Sequence, residues 1–153
     1  MVARVKLSKY FDLEEFLVSE SAARLGIDNR PGPGIHLRLE RLAETMDEVR
    51  ELLGHPVIIT SGYRSEALNR AVGGVKTSDH IKGLAADFIC PRYGTPAMVC
   101  AAIRDSRIAF RQLINEFNKW THIAIPLSPD DAGREVLSVF TPGIYLPGLP
   151  IHA

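Results

Sequence analysis

The sequence predicts an α+β fold, a small and mainly antiparallel sheet flanked by helices. Helical periodicity is concentrated in the first part of the chain. β-branched runs cluster in the second, and the last three follow one another at hairpin-like spacing. A chain of 153 residues with 46% apolar and 24% charged side chains can bury one sizeable core, so a single domain over 1–153 is expected. Its core should run from about 11 to 140, with an extended tail over 141–153.

The elements follow in order. Asp12 with Glu15 three residues later has the capping-box form, which predicts a short helix over Leu13 to Val18, and a second helical piece follows from Ser19 to Leu25. Gly26 to Gly34 contains Asn29, Pro31, Gly32 and Pro33 and reads as a loop. From Ile35 to Leu53, the residues Leu39, Leu42, Met46, Val49 and Leu53 recur at steps of three and four, so they line one face of a long helix that Gly54 stops. Val57 to Thr60 reads as a buried strand, and Ser65 caps a helix through Arg70. Ala71 to Lys82 is rich in Gly, Ser, Thr and Asp and predicts a loop before a strand from Leu84 to Cys90. Thr95-Pro96 opens a helix through about Asp105. Strands are expected over Arg111 to Glu116, Trp120 to Ile125 and Glu135 to Phe140. Pro142, Pro147 and Pro150 mark the tail as extended or loosely packed.

Composition excludes several functions. Eighteen basic and eighteen acidic residues cancel without a run of like charges, which argues against a nucleic-acid footprint. Met1 to Tyr10 has no apolar stretch of signal-peptide type, and no window approaches the roughly 20 apolar residues of a membrane span. A cytoplasmic site of synthesis and no stable membrane association are therefore expected; the chain is also expected to be a monomer. Cys90 and Cys100 match no paired zinc spacing and are expected to be buried thiols.

Chemistry is concentrated in Ser78-Asp79-His80-Ile81-Lys82-Gly83-Leu84-Ala85-Ala86-Asp87. A loop histidine precedes by seven positions an aspartate on a strand, and Gly83 lets the chain turn between them. His122 lies on the later strand Trp120 to Ile125. Two imidazoles and one carboxylate are the donor set of a catalytic zinc, which keeps one position open for water. On spacing alone, His80 can equally be a solvated loop residue, Asp87 a strand-end cap and His122 a core histidine. His36, His55 and His152 occupy a loop–helix junction, a pre-proline position and the terminus, where solvated histidines are the rule.

Ser78, His80, Gly83, Ala85 and Asp87 follow the pattern Ser-x-His-x-x-Gly-x-Ala-x-Asp, and Trp120 with His122 supplies a later Trp-x-His strand. In these residues the chain resembles the zinc D-Ala-D-Ala carboxypeptidases and phage endolysin peptidases of the hedgehog-related metallopeptidase superfamily. Further likeness lies in Ser61-Gly62-Tyr63-Arg64-Ser65, Leu68-Asn69, Val72-Gly73-Gly74, Phe11 to Glu15 and Asn29-Arg30-Pro31, so it extends over about Phe11 to Phe140. It implies hydrolysis of the peptide stem of bacterial peptidoglycan by metal-activated water, with Zn2+ on His80, Asp87 and His122. Arg64 would act near the substrate, binding a carboxylate or stabilising an oxyanion. Ser78 would bond substrate or a ligand, or simply cap its loop. The enzyme would be a D,D-carboxypeptidase or an endolysin-type endopeptidase. A dipeptidase, and a non-catalytic zinc domain of a phage particle or of wall-binding type, are the alternatives.

One departure from the family pattern matters. Many members place an acid three residues before the last histidine, where this chain has Lys119, and the nearest upstream acid is Glu116. On one straight strand, six residues at about 3.3 Å each would hold Glu116 roughly 20 Å from His122. A hairpin loop at Phe117-Asn118-Lys119 would instead bring it opposite Thr121 or His122, within reach of the metal water. Asn118 favours that turn, which makes Glu116 the expected general base.

Overall fold

The computed structural model describes residues 4–131 and 133–151; His152 lies outside them. Three helices come first, α1 (Leu13–Leu17), α2 (Glu20–Leu25) and α3 (Pro33–Leu53). The Asp12/Glu15 capping box opens α1, and Ser19 Oγ accepts from the Ala22 N–H to start α2. Pro33 occupies the first turn of α3, where its missing N–H costs nothing, so the helix starts two residues before its apolar stripe; Gly54 ends it at φ 68°.

Strand β1 (Ile58–Ser61), helix α4 (Glu66–Ala71), strand β2 (Ala85–Ile89) and helix α5 (Pro96–Arg104) follow, then β3 (Gln112–Glu116), β4 (Trp120–Ala124), β5 (Glu135–Thr141) and β6 (Ile144–Pro147). All six strands form one sheet in the order β1-β2-β4-β3-β5-β6, antiparallel except for the parallel β3–β5 pair. The α+β expectation holds. No helix among the described residues is long and apolar enough to cross a membrane.

Three expectations are corrected. Val57 to Thr60 is no buried strand: β1 is a sheet edge, and Ile58 is half exposed. The last three predicted strands are not successive hairpins, because the chain leaves β4, crosses β3 and pairs β5 along its far side. The segment read as an extended or loosely packed tail is extended but not loose over Ile144–Pro147: it holds β6, which turns back on β5 through Gly143 at φ 79°. Its prolines suit a sheet border, where no ladder donor is missed.

Side-chain alternation then divides the sheet into two faces. Ala86, Phe88, Leu113 and Ile123 point to one face and pack with Leu39, Leu42, Met46 and Val49 of α3 and Val99, Cys100 and Ile103 of α5 in a single cluster. Fully burying each such large side chain contributes about 1.5–3 kcal/mol, so this face anchors the fold. Both cysteines lie in this layer as free thiols, and burial pushes the Cys100 thiol up to about 12. The opposite face carries Asp87, His122 and Glu116.

Candidate metal centre

Strand register creates the site. Asp87 of β2 stands directly opposite His122 of β4, and Ile114 of β3 is His122's other partner, so the three share a row. Ala85 and Ala124, both without exposed surface, keep the neighbouring pair small. His80 arrives from the loop before β2. Gly83 makes this possible at φ 73°, packed so closely that an added methyl group would meet Ile35 at 2.9 Å.

The loop is held on several sides. His80 donates its backbone N–H to Ser78 Oγ, and its carbonyl accepts from the Arg64 N–H at 3.1 Å. Asp79 pairs with Arg111 and, at 3.9 Å, with Lys82, so its carboxylate serves to hold the loop. His36 instead pairs with Glu40 on its own helix, and His55 is outside the cluster.

One potential ligand atom from each of His80, Asp87 and His122 lies within 4.8 Å of the others. His122 Nδ1 is 2.9 Å and His80 Nε2 3.3 Å from Asp87 Oδ1. Zinc bonds of about 2.0–2.2 Å in a tetrahedron separate donors by roughly 3.4 Å, so the set fits such an ion. His80 Nδ1 lies 2.7 Å from the Gly62 carbonyl oxygen. A carbonyl only accepts, so Nδ1 carries the proton and the Nε2 lone pair is free for a metal. Burial would raise the Asp87 carboxyl, but in the metal-free protein the hydrogen bonds that His122 and a doubly protonated His80 donate to it outweigh burial and hold that carboxyl well below the usual carboxylate range.

Gly62 is the less visible support. A methyl group there would sit 2.5 Å from the Phe16 carbonyl oxygen and 2.7 Å from its Cα. Gly62→Ala must therefore part β1 from α1 and carry the His80 acceptor with it. The expected result is a stability loss of about 1–3 kcal/mol and a zinc affinity about tenfold weaker, read by thermal melts of apo-protein and by zinc titration. Unchanged zinc affinity would refute the anchoring role of this carbonyl.

The β3–β4 turn settles the geometry of Glu116. Phe117 and Asn118 both take left-handed backbone, at φ 58° and 53°, and the Lys119 N–H closes the turn on the Glu116 carbonyl at 2.9 Å. The hairpin forms, but its register differs from expectation: Glu116 opposes Trp120, one step earlier than Thr121. It therefore stands diagonal to His122 on the same face, a separation of about 7–8 Å or less between such neighbours. Burial and then the Asp87 charge raise its carboxyl above the usual range, against the influence of His122, Arg64 and Trp120. Lys119 borders a different hollow, on the Thr121 side of the sheet.

Arg64 lies on the segment between β1 and α4. Asn29, in the early loop, fixes that segment by donating to the Leu17 and Tyr63 carbonyls and accepting from the Ser65 N–H. Burial lowers the pKa of the guanidinium, opposed by the charges of Asp87 and Glu116. Its Nε is buried without a hydrogen-bond partner. Arg64, Ser78, His80, Asp87, Glu116 and His122 all line one cleft of about 600 Å³, joined by Arg111, Trp120 and Tyr145. Nothing in the sequence pointed to Arg111 or Tyr145, since one is an ordinary strand-flanking arginine and the other sits on the unexpected β6.

A family model described as Peptidase M15 matches residues 9–124. The chain belongs to the Peptidase M15 family. The matched span carries the His80–Asp87–His122 cluster, Arg64 and Glu116, whereas β5 and β6 lie beyond it. Among curated proteins, none matches the chain. Membership makes this Peptidase M15 chain a peptidase by family, and its His-Asp-His cluster can hold a metal ion.

Proposed function

We propose that the chain is a zinc-dependent peptidase that hydrolyses the peptide stem of bacterial peptidoglycan. The observation that carries this reading is the cluster of two imidazoles and one carboxylate, within 4.8 Å, on the floor of a cleft in a Peptidase M15 chain. His80, Asp87 and His122 would hold the ion. When bound, zinc supplies a Lewis acid and brings the pKa of a coordinated water to about 7.

Glu116 receives the proton of the attacking water and returns it to the departing amine, a dual task suited to a carboxyl whose pKa is raised. Arg64, whose Nε has no hydrogen-bond partner, offers its guanidinium to a stem-peptide carboxylate or to negative charge developing on the carbonyl oxygen. Ser78 keeps the His80 loop in shape through the backbone N–H it accepts, and from the cleft wall it can also meet substrate.

Lys119, standing where many members of the family have an acid, would favour a non-catalytic zinc domain, but it borders another hollow while Glu116 lines the cleft. Mass spectrometry of muropeptides decides the matter. Zinc-loaded protein is expected to release new termini from purified peptidoglycan, chelation to stop it and added zinc to restore it. No new termini from any wall chemotype at full zinc occupancy would end the enzymatic reading. Comparing free D-Ala-D-Ala with intact sacculi separates a dipeptidase from a wall enzyme.

A further inference from the structure

We infer that Tyr145 is a specificity-determining residue that contacts the peptide two or three residues away from the bond that is cut. The inference rests on reading the cleft as a stem-peptide site. Successive pairings, Trp120 with Glu116, Glu116 with Val139 and Val139 with Tyr145, place these four residues in one row across β4, β3, β5 and β6. Their side chains share the face that bears Asp87 and His122, and Tyr145 lines the same cleft as the metal-binding cluster.

Strands spaced about 4.8 Å apart put the Tyr145 backbone roughly 10 Å from that of Glu116. An extended peptide advances about 3.3–3.6 Å per residue, so the ring meets a substrate residue two or three positions from the reacting bond. Tyr145 is 57% exposed, which leaves apolar surface to be covered by a ligand. Tyrosine suits this task, since it offers a large rigid contact area that loses little entropy when covered. The strand that carries it, β6, lies outside the segment that the family model matches.

The contact predicts an effect that depends on substrate length. With zinc-loaded protein, Tyr145→Ala is expected to lower kcat/KM about tenfold on a muropeptide carrying the full stem, chiefly through KM. On the shortest truncation of that stem which wild type still cleaves, the loss should stay below about twofold. Tyr145→Phe should behave as wild type on both. Equal losses on long and short substrates, or none on the long one, would overturn the assignment. If wild type cleaves neither substrate, the peptidase reading fails separately. The role of Tyr145 is then decided by the affinity of the uncleaved muropeptide, about tenfold weaker for Tyr145→Ala if the contact exists and equal if it does not.

Discussion

Asp87→Asn is expected to abolish both metal binding and hydrolysis while leaving the fold intact. Asp87 Oδ1 is the point on which His122 Nδ1 and His80 Nε2 converge, at 2.9 and 3.3 Å, so it is the common member of the cluster. Asparagine fills the same volume and can still bond an imidazole, but it brings no negative charge to a divalent cation. Losing an outer-shell partner typically weakens a metal 10–100-fold, and loss of a charged ligand must exceed that. The apo-protein should still fold but melt below wild type, since the imidazoles that hold the Asp87 carboxyl below its ordinary range stabilise the native carboxylate and asparagine keeps only a neutral hydrogen bond. Zinc should then discriminate the two proteins. At a hundredfold excess over Kd it stabilises a binding protein by about 2.7 kcal/mol, a rise in melting temperature that wild type should show and the variant should lack. Wild-type zinc affinity in the Asn variant would mean that Asp87 is not a ligand.

Much of this was legible because the residues act over short sequence distances. The long helix is written in Leu39, Leu42, Met46, Val49 and Leu53, all buried with its stripe, and the turn at Gly83 places His80 before β2. What failed to be legible was pairing between distant segments. β1 looks like a core strand because Ile58 and Ile59 are β-branched, yet composition cannot say that no strand covers its outer edge. Likewise, β5 joins β3 because the crossing chain is tied down by Arg134, whose guanidinium binds the carbonyls of Arg104, Ile108 and Ser106 and stacks over Phe110. None of those contacts has a local signal. β6 was masked by prolines that rule out a central strand but not a border one, and Tyr145 was lost with it. At the β3–β4 hairpin, the turn was foreseen and the register was not: with 117–119 all spent on the loop, Glu116 must face Trp120.

That register carries the second large effect. Glu116→Gln preserves size and hydrogen bonding but cannot accept a proton, so kcat is expected to fall by about a hundred- to ten-thousand-fold. Zinc content and the zinc-induced rise in melting temperature should stay as in wild type, because Glu116 lies outside the His80–Asp87–His122 cluster. KM should change little, since the substituted group is asked to act on the proton rather than to hold the peptide. Lys119→Ala provides the contrast. It sits in the turn, exposed, with its side chain at a hollow on the other side of the sheet, so its removal should leave kcat within about twofold of wild type. If instead the Lys119 variant lost activity while the Glu116 variant kept it, the hairpin argument would fail at its decisive point. In that case the three residues between Glu116 and Trp120 would have to reorganise on substrate binding. The present turn, closed by the Lys119–Glu116 backbone bond, by Asn115 Oδ1 accepting the Asn118 N–H and by Asn118 Oδ1 accepting the Ala97 N–H, is tied down against such a change.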